Sequence, residues 1–240
     1  MVLTYLDIEE VIEKVEEGAT QPFLCRASDD DLYVVKGRAA LPSGLISEVV
    51  CAAVGRQLGL PIPEFAIVSL NAQLSRFNAQ AATSLGTGWG FASKYSENLT
   101  PASRSNLNRY PVHLLRDVFI FDYWIKNEDR TGTLWGGNSN MFVNVVDKDI
   151  VILDHNLAFD RAFNQENFNG LHICRDFWFG AEGLLEREHY QPRLEAAIAT
   201  AEAVINDLPD EWTDSDPTVV PHLRATLEAV SANAFWSAIQ

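Results

Sequence analysis

The sequence predicts an α+β fold in two lobes, β-rich in front and helical behind, on three observations. Short apolar runs bounded by turn formers crowd the chain up to Tyr95. Beyond Phe159 the apolar residues return at helical spacing over long stretches. One short aromatic strand, near Phe91 to Tyr95, makes the single crossing between the two parts. With 240 residues, 47% hydrophobic and 21% charged, the chain can bury one large core or two lobes, and no internal repeat or low-complexity tract divides it. A single domain over residues 1–240 is expected, its N-lobe at about 1–95 and its C-lobe at about 96–240.

In chain order, Asp7 followed by Glu10 sets up a capped short helix ending near Gly18. PFLCRA and LYVVKG then read as a hairpin with a polar tip at Ser28, Asp29, Asp30 and Asp31, and Lys36 closes the second strand. Apolar residues at helical spacing from Leu45 to Leu58, stopped by Gly59 and Pro61, predict a helix with Glu48 in its first turns. EFAIVSL supplies a third strand. Residues 71–85 are small and polar and fit no period, so an irregular connection is expected before the strand in GTGWGFASKY. ENLTPASRSNLNRYP is loop or capping material, and Pro111 opens a helix in which Leu115, Val118, Phe119, Asp122, Tyr123 and Lys126 alternate faces. After the loop NEDRTGTLWGGNSNMFVN, the runs MFVNVV and IVILD form a hairpin turned by Asp147, Lys148 and Asp149. GLLEREHYQPRLEAAIATAEAVINDLP and DPTVVPHLRATLEAVSANAFWSAI are helical.

Composition excludes some partners. Eighteen Lys and Arg against 33 Asp and Glu leave a net charge of −15, which opposes direct binding to nucleic-acid backbones and to anionic membranes. Cys25, Cys51 and Cys174 are odd in number and widely spaced without a CxxC pair, so they are expected as reduced, mostly buried thiols. The amino terminus turns acidic at Asp7 and has no basic region followed by an apolar run, so no signal peptide is expected. No stretch reads as a membrane span, and the expected compartment is the cytoplasm.

The loop after Lys126 holds more compact oxygen-bearing side chains than turning requires: Asp129 with Arg130, then Asn138 and Asn140. Phosphoryl transfer needs a cation near the phosphates, a divalent metal on oxygen ligands and a carboxylate that orients the attacking hydroxyl. Lys36 ends a strand where a long-stemmed charge can reach a phosphate, and Glu48 on the next helix can hold its ammonium. Asp129 starts the loop. Asn140 leads into one strand and Asp154 ends the next, so pairing of those strands would bring an amide and a carboxylate together as a holder for magnesium. Bland readings stand beside each. Lys36 can be a solvated strand end, Asp129 and Arg130 a loop ion pair, Asn138 and Asn140 turn formers, and Asp154 a cap. His155 has no second histidine at ligand spacing and is expected to be structural or solvent-facing. Trp124, Trp135, Trp178, Trp212 and Trp236 are expected in packing, whereas Trp89, among glycines, either packs or lines an adenine pocket.

LYVVKG, NEDRTGTLWGGNSNMFV and VILDHNLAFD resemble the nucleotide-lysine, catalytic-loop and metal-aspartate segments of HipA-like kinases, and are similar to those of type II phosphatidylinositol 4-kinases. The likeness runs in order over roughly Gly18 to Asp160 and extends to GATQPFL, SEVVCAAVGRQLGLPIPEFAIV and GFASKY, where the hinge should lie. It implies a protein-kinase-like fold that uses ATP and Mg2+. On it, Lys36 is the ATP-phosphate lysine, Glu48 its partner, Asp129 the catalytic aspartate, and Asn140 and Asp154 the metal ligands. The sequence departs from the pattern in three places. TLWGG lengthens the stretch between Asp129 and Asn140, which makes Asn138 a rival ligand. Gly18 is the only glycine of EEGATQPFLC, a sparse amide cradle for phosphates, and Thr131 stands where close HipA toxins commonly have histidine.

The expected activity is transfer of the γ-phosphoryl group to a hydroxyl, a protein Ser or Thr rather than a lipid, because no basic patch would hold the chain on anionic lipid. Two other classes stay open. One is a nucleotide- or partner-binding module that keeps the fold without turnover; the other is a metal-assisted hydrolase on Asp129, Asp154 and His155. The resemblance further implies an antitoxin partner and a phosphorylation site in the phosphate loop, for which Thr20 is the candidate.

Overall fold

The computed structural model describes residues 2–15, 20–74, 76, 78–132, 137–179 and 186–239. The front of the chain forms β1 (Tyr5–Lys14), β2 (Phe23–Ala27), β3 (Leu32–Lys36), α1 (Leu41–Gln57), β4 (Phe65–Leu70), α2 (Ala79–Ser84) and β5 (Gly88–Lys94). Its five strands close into a barrel in the order β1-β2-β3-β5-β4. β2 and β3 pair antiparallel from Phe23 opposite Val35 to Arg26 opposite Leu32, around the polar tip that the sequence predicts. Asp30 sits there at φ 68, and the Asp29 carboxylate accepts the Asp31 N–H, which is the local bonding that suits Asp to turns.

The amino-terminal segment is a strand, not the helix expected from Asp7 and Glu10. β1 pairs antiparallel with β2 and parallel with β4, with register shifts between Ile8 and Glu10 and between Val11 and Glu13. An extra residue at a bulge delays the next inward side chain by one. Leu6, Ile8 and Val11 are its more buried apolar residues, so a strand period of two becomes a spacing of three, which imitates a helix.

α1 begins at Leu41, before the apolar spacing that starts at Leu45, because Pro42 fits a first turn whose N–H groups have no helical acceptor. Every residue from Gly44 to Gly55 is buried, so this helix is enclosed on all sides. Residues 38–57 are long and apolar enough to cross a membrane by length and composition, a property shared by core helices, and this one is mostly buried inside the protein. The stretch after β4 contains α2, held by Asn78, whose side chain accepts the Ala81 N–H at 3.0 Å.

Behind the barrel lie β6 (Leu99–Pro101), a 3-10 turn over Arg104–Arg109, α3 (Val112–Trp124), β7 (Met141–Asn144) and β8 (Ile150–Ile152). The three strands form a small sheet in the order β6-β7-β8, with Lys148 at φ 66 in the predicted turn. α4 (Gln165–Leu171), α5 (Arg175–Phe179), α6 (Glu186–Ile205), α7 (Asp210–Thr213), α8 (Val219–Glu228) and α9 (Asn233–Ser237) complete it. One apolar cluster unites α1, α3 and these helices, and a second fills the barrel. Trp124, Trp178 and Trp236 are buried, and each indole N–H reaches a backbone carbonyl at 2.8–2.9 Å, as buried tryptophan requires. Trp212 is also buried, and Trp135 lies outside the described residues. All three cysteines are buried and free.

Candidate functional site

A cavity of about 520 Å³ opens beside the barrel, and its lining includes Lys36, Glu48, Asp129, Asn138, Asn140 and Asp154. Lys36 comes from the end of β3 and Glu48 from α1. Its ammonium donates to Glu48 Oε1 at 2.5 Å and to Asp154 Oδ1 at 2.7 Å, and the lysine is only 7% exposed. The bland reading of a solvated strand end therefore does not hold. Burial pulls the Lys36 pKa down, but the two carboxylates outweigh it and hold the ammonium above its ordinary value. Burial pushes the Glu48 carboxyl up against the pull of Lys36. At Asp154 the lysine overcomes burial and holds the carboxyl down. The second oxygen of Glu48 accepts the His155 N–H at 3.1 Å, which ties α1 to the segment after β8.

β7 and β8 pair with Met141 opposite Ile152, and Leu153 N–H donates to the Asn140 carbonyl. Asn140 and Asp154 thus stand at adjacent strand ends and line the same cavity. Asn140 and Asp154 are both left-handed, at φ 41 and 59. Asp129 Oδ2 accepts the Nδ2 groups of both Asn138 and Asn140 at 2.8 Å; Asn138 is exposed and Asn140 buried. Those bonds leave each amide presenting its oxygen as the atom suited to a cation. A carboxylate and an amide oxygen are the hard donors that magnesium takes, so the residues present fit such an ion.

Arg130 pairs with Asp122 and not with Asp129. Its Nε donates to Asp122 Oδ2 at 2.6 Å, with both side chains wholly buried. Asp122 also takes the Asn127 Nδ2 at 2.8 Å and bonds His172 Nε2 at 2.9 Å. Although burial raises the Asp122 carboxyl, Arg130 and His172 together hold it well below the usual range. His155 is structural and not solvent-facing. It lies 3.1 Å from Arg130 Nη2, and burial, reinforced by that cation, pushes its pKa down to about 3. Its Nε2 faces a guanidinium, so the hydrolase reading loses its nitrogen ligand, and among the described residues no group of three His, Cys, Asp or Glu could hold a metal alone.

Sequence reasoning missed Asp122 and His172. A carboxylate between Phe121 and Tyr123 on a core helix was a signal for the first. His172 had no sequence signal, because its contact with Asp122 depends on tertiary pairing: Thr131 bridges to His172, and the Ile173 N–H donates to the Arg130 carbonyl. Thr20 lines the cavity but is just 6% exposed. Trp89 packs edge-on against Tyr5 at 5.4 Å and does not line the cavity.

A buried lysine bridges two carboxylates at the end of a barrel strand, and two asparagines and an aspartate line the same cavity, an arrangement that suits the kinase-like class of folds. The profile described as HipA-like kinase matches residues 8–239, and the chain belongs to that family. Among solved structures, a Helicobacter pylori proinflammatory kinase, CtkA, superposes with a TM-score of 0.55 at 13% identity, covering 98% of this chain and 95% of its own. The Golgi casein kinase gives 0.52 at 12% identity, covering 97% and 72%. Its structure with Mn/ADP bound gives 0.51 at 12% identity, covering 99% and 72%. At these identities the likeness is one of fold. No curated protein matches the sequence. Family and fold together identify a kinase.

Proposed function

We propose that the chain is an ATP- and magnesium-dependent kinase that transfers the γ-phosphoryl group to a hydroxyl, a Ser or Thr of a protein. The observation that carries this reading is the convergence on one cavity of Lys36 and Asp154, 118 positions apart and 2.7 Å from each other, with Asp129 and Asn140 beside them. The Golgi casein kinase with Mn/ADP bound supports use of a nucleotide and a divalent metal. The barrel and the helices behind it are then the two lobes of one domain over 1–240, divided near residue 95, in a cytoplasmic protein whose partners are ATP, a protein substrate and an antitoxin.

In this mechanism Glu48 holds the Lys36 ammonium on its stem, and Lys36 turns from Asp154 to the phosphates of ATP. Asn140 and Asp154 would hold magnesium, with the exposed Asn138 as the runner-up to Asn140. Magnesium, when bound, offsets charge on the phosphate oxygens. Asp129 orients the acceptor hydroxyl and takes its proton. Asp129→Asn keeps a group able to bond the Asn138 and Asn140 amides, so it should abolish transfer of radiolabelled phosphate while ATP binding and fold persist. A fully active Asp129→Asn variant would remove the base from this mechanism. The single glycine of the phosphate loop, Gly18, favours a second reading, a binding module without turnover. ATP titrated with and without magnesium separates the two, since binding with neither transfer nor hydrolysis belongs to the module.

A further inference from the structure

Arg130 is wholly buried, and its guanidinium is spent on one place. Nη1 donates to the Asn140 carbonyl and, at 3.4 Å, to the Leu153 carbonyl, while Nη2 meets His155 Nε2 at 3.1 Å. Those partners bracket the two left-handed residues: the carbonyl is that of Asn140 itself, and Leu153 and His155 flank Asp154. Asn and Asp enter that backbone region more readily than other L-residues, but a side chain there still costs energy that surrounding bonds must offset. Its Nε sits on Asp122, which also holds Asn127. Asn127 and Arg130 flank Asp129, so one carboxylate anchors that loop on both sides.

We propose that Arg130, seated on Asp122, is the positioning residue of the metal pair, holding Asn140 and Asp154 in their left-handed conformations so that their oxygens face one cation. This rests on the kinase reading above. A residue serving only core stability needs a counter-ion but has no need to reach both strand ends. Lysine cannot substitute, because a point charge lacks the planar fork that spans two carbonyls and a carboxylate.

The test is the gain in ADP affinity brought by Mn2+, measured calorimetrically on the full chain. Two variants are compared: Arg130→Lys, and the double variant Asp122→Asn with Arg130→Gln, which leaves no uncompensated buried charge. Both should bind ADP in metal-free buffer within about twofold of the unaltered chain, while the gain from Mn2+ falls about tenfold or more, the size seen when a group orienting metal ligands is lost. A folded variant with an undiminished gain overturns the inference, as does an equal loss with and without metal. If neither variant folds, Arg130 belongs to core stability and the inference fails. An unaltered chain that gains nothing from Mn2+ would sink the kinase reading and this inference together; a gain kept in the variants would sink this inference alone.

Discussion

His155 is a buried imidazole beside a guanidinium, and its titration gives the site a pH signature. Its folded pKa of about 3 lies below the ordinary 6.5, so on acidification the unfolded chain takes up a proton that the folded chain refuses. The stability it contributes is complete above about pH 6.5 and is lost as pH falls from there towards about 3, by at most about 1.4 kcal/mol per unit. His172, lowered by burial, acts in the same direction, and Asp122 adds to it only below the ordinary carboxylate range. Glu48, raised by burial, works the other way. Between about pH 7 and 5 the melting temperature should fall, and it should fall less in His155→Gln. Parallel curves for the two proteins would remove His155 as the source. These histidine contacts were illegible in the sequence because their partners lie on other elements. That Lys36, Asp129, Asn140 and Asp154 border one cavity was legible because each stands near the end of an element whose limits could be read, whereas Glu48 was placed by the helical spacing of α1.

Elements were legible where turn formers bound them. Asp29 to Asp31 marked the hairpin of β2 and β3, and Pro111 marked the start of α3. β1 was hidden because its bulges turned strand spacing into helical spacing, and α2 because little besides its Asn78 cap signals a helix. One glycine shows how an element sets the site. A Cβ on Gly37 would stand 2.2 Å from the Leu85 carbonyl oxygen, and that carbonyl is fixed by the Arg38 N–H at 2.9 Å. Gly37→Ala must therefore shift the end of β3, where Lys36 stands. A loss of about 1–3 kcal/mol is expected from such overpacking, with weaker ADP binding besides. Thermal unfolding and ADP titration check both, and an unchanged variant would show that the end of β3 yields freely.

At the scale of the whole molecule, the cavity needs the barrel and the helical part held in one relation, because Lys36 belongs to the first and Asp154 to the second. Several bonds contribute, the Glu48–His155 bond described above among them. Arg193 of α6 donates to the Leu58 carbonyl just after α1 and to Asp117 of α3, so α1, with Glu48, is fastened to the helices. On the barrel, the Tyr5 hydroxyl donates to the Asp207 carbonyl and the Trp89 N–H to Glu211 Oε1 at 2.8 Å. Gly88 makes room for that carboxylate, since a Cβ there would lie 2.7 Å from it. Glu211 is exposed, so its bond adds little to global stability, and its effect falls on how the barrel is seated. Glu211→Ala should leave the melting temperature nearly unchanged yet loosen that seat, raising hydrogen exchange at Trp89. With about 1 kcal/mol of hydrogen bonding lost from the seated state, ADP affinity should drop by up to about fivefold. Glu211→Gln retains an oxygen acceptor and should restore most of the affinity. If the alanine and glutamine variants bind ADP equally, the seat is set elsewhere, by the Arg193 contacts with α1 and α3 and by the Glu48–His155 bond that ties α1 to the segment carrying Asp154.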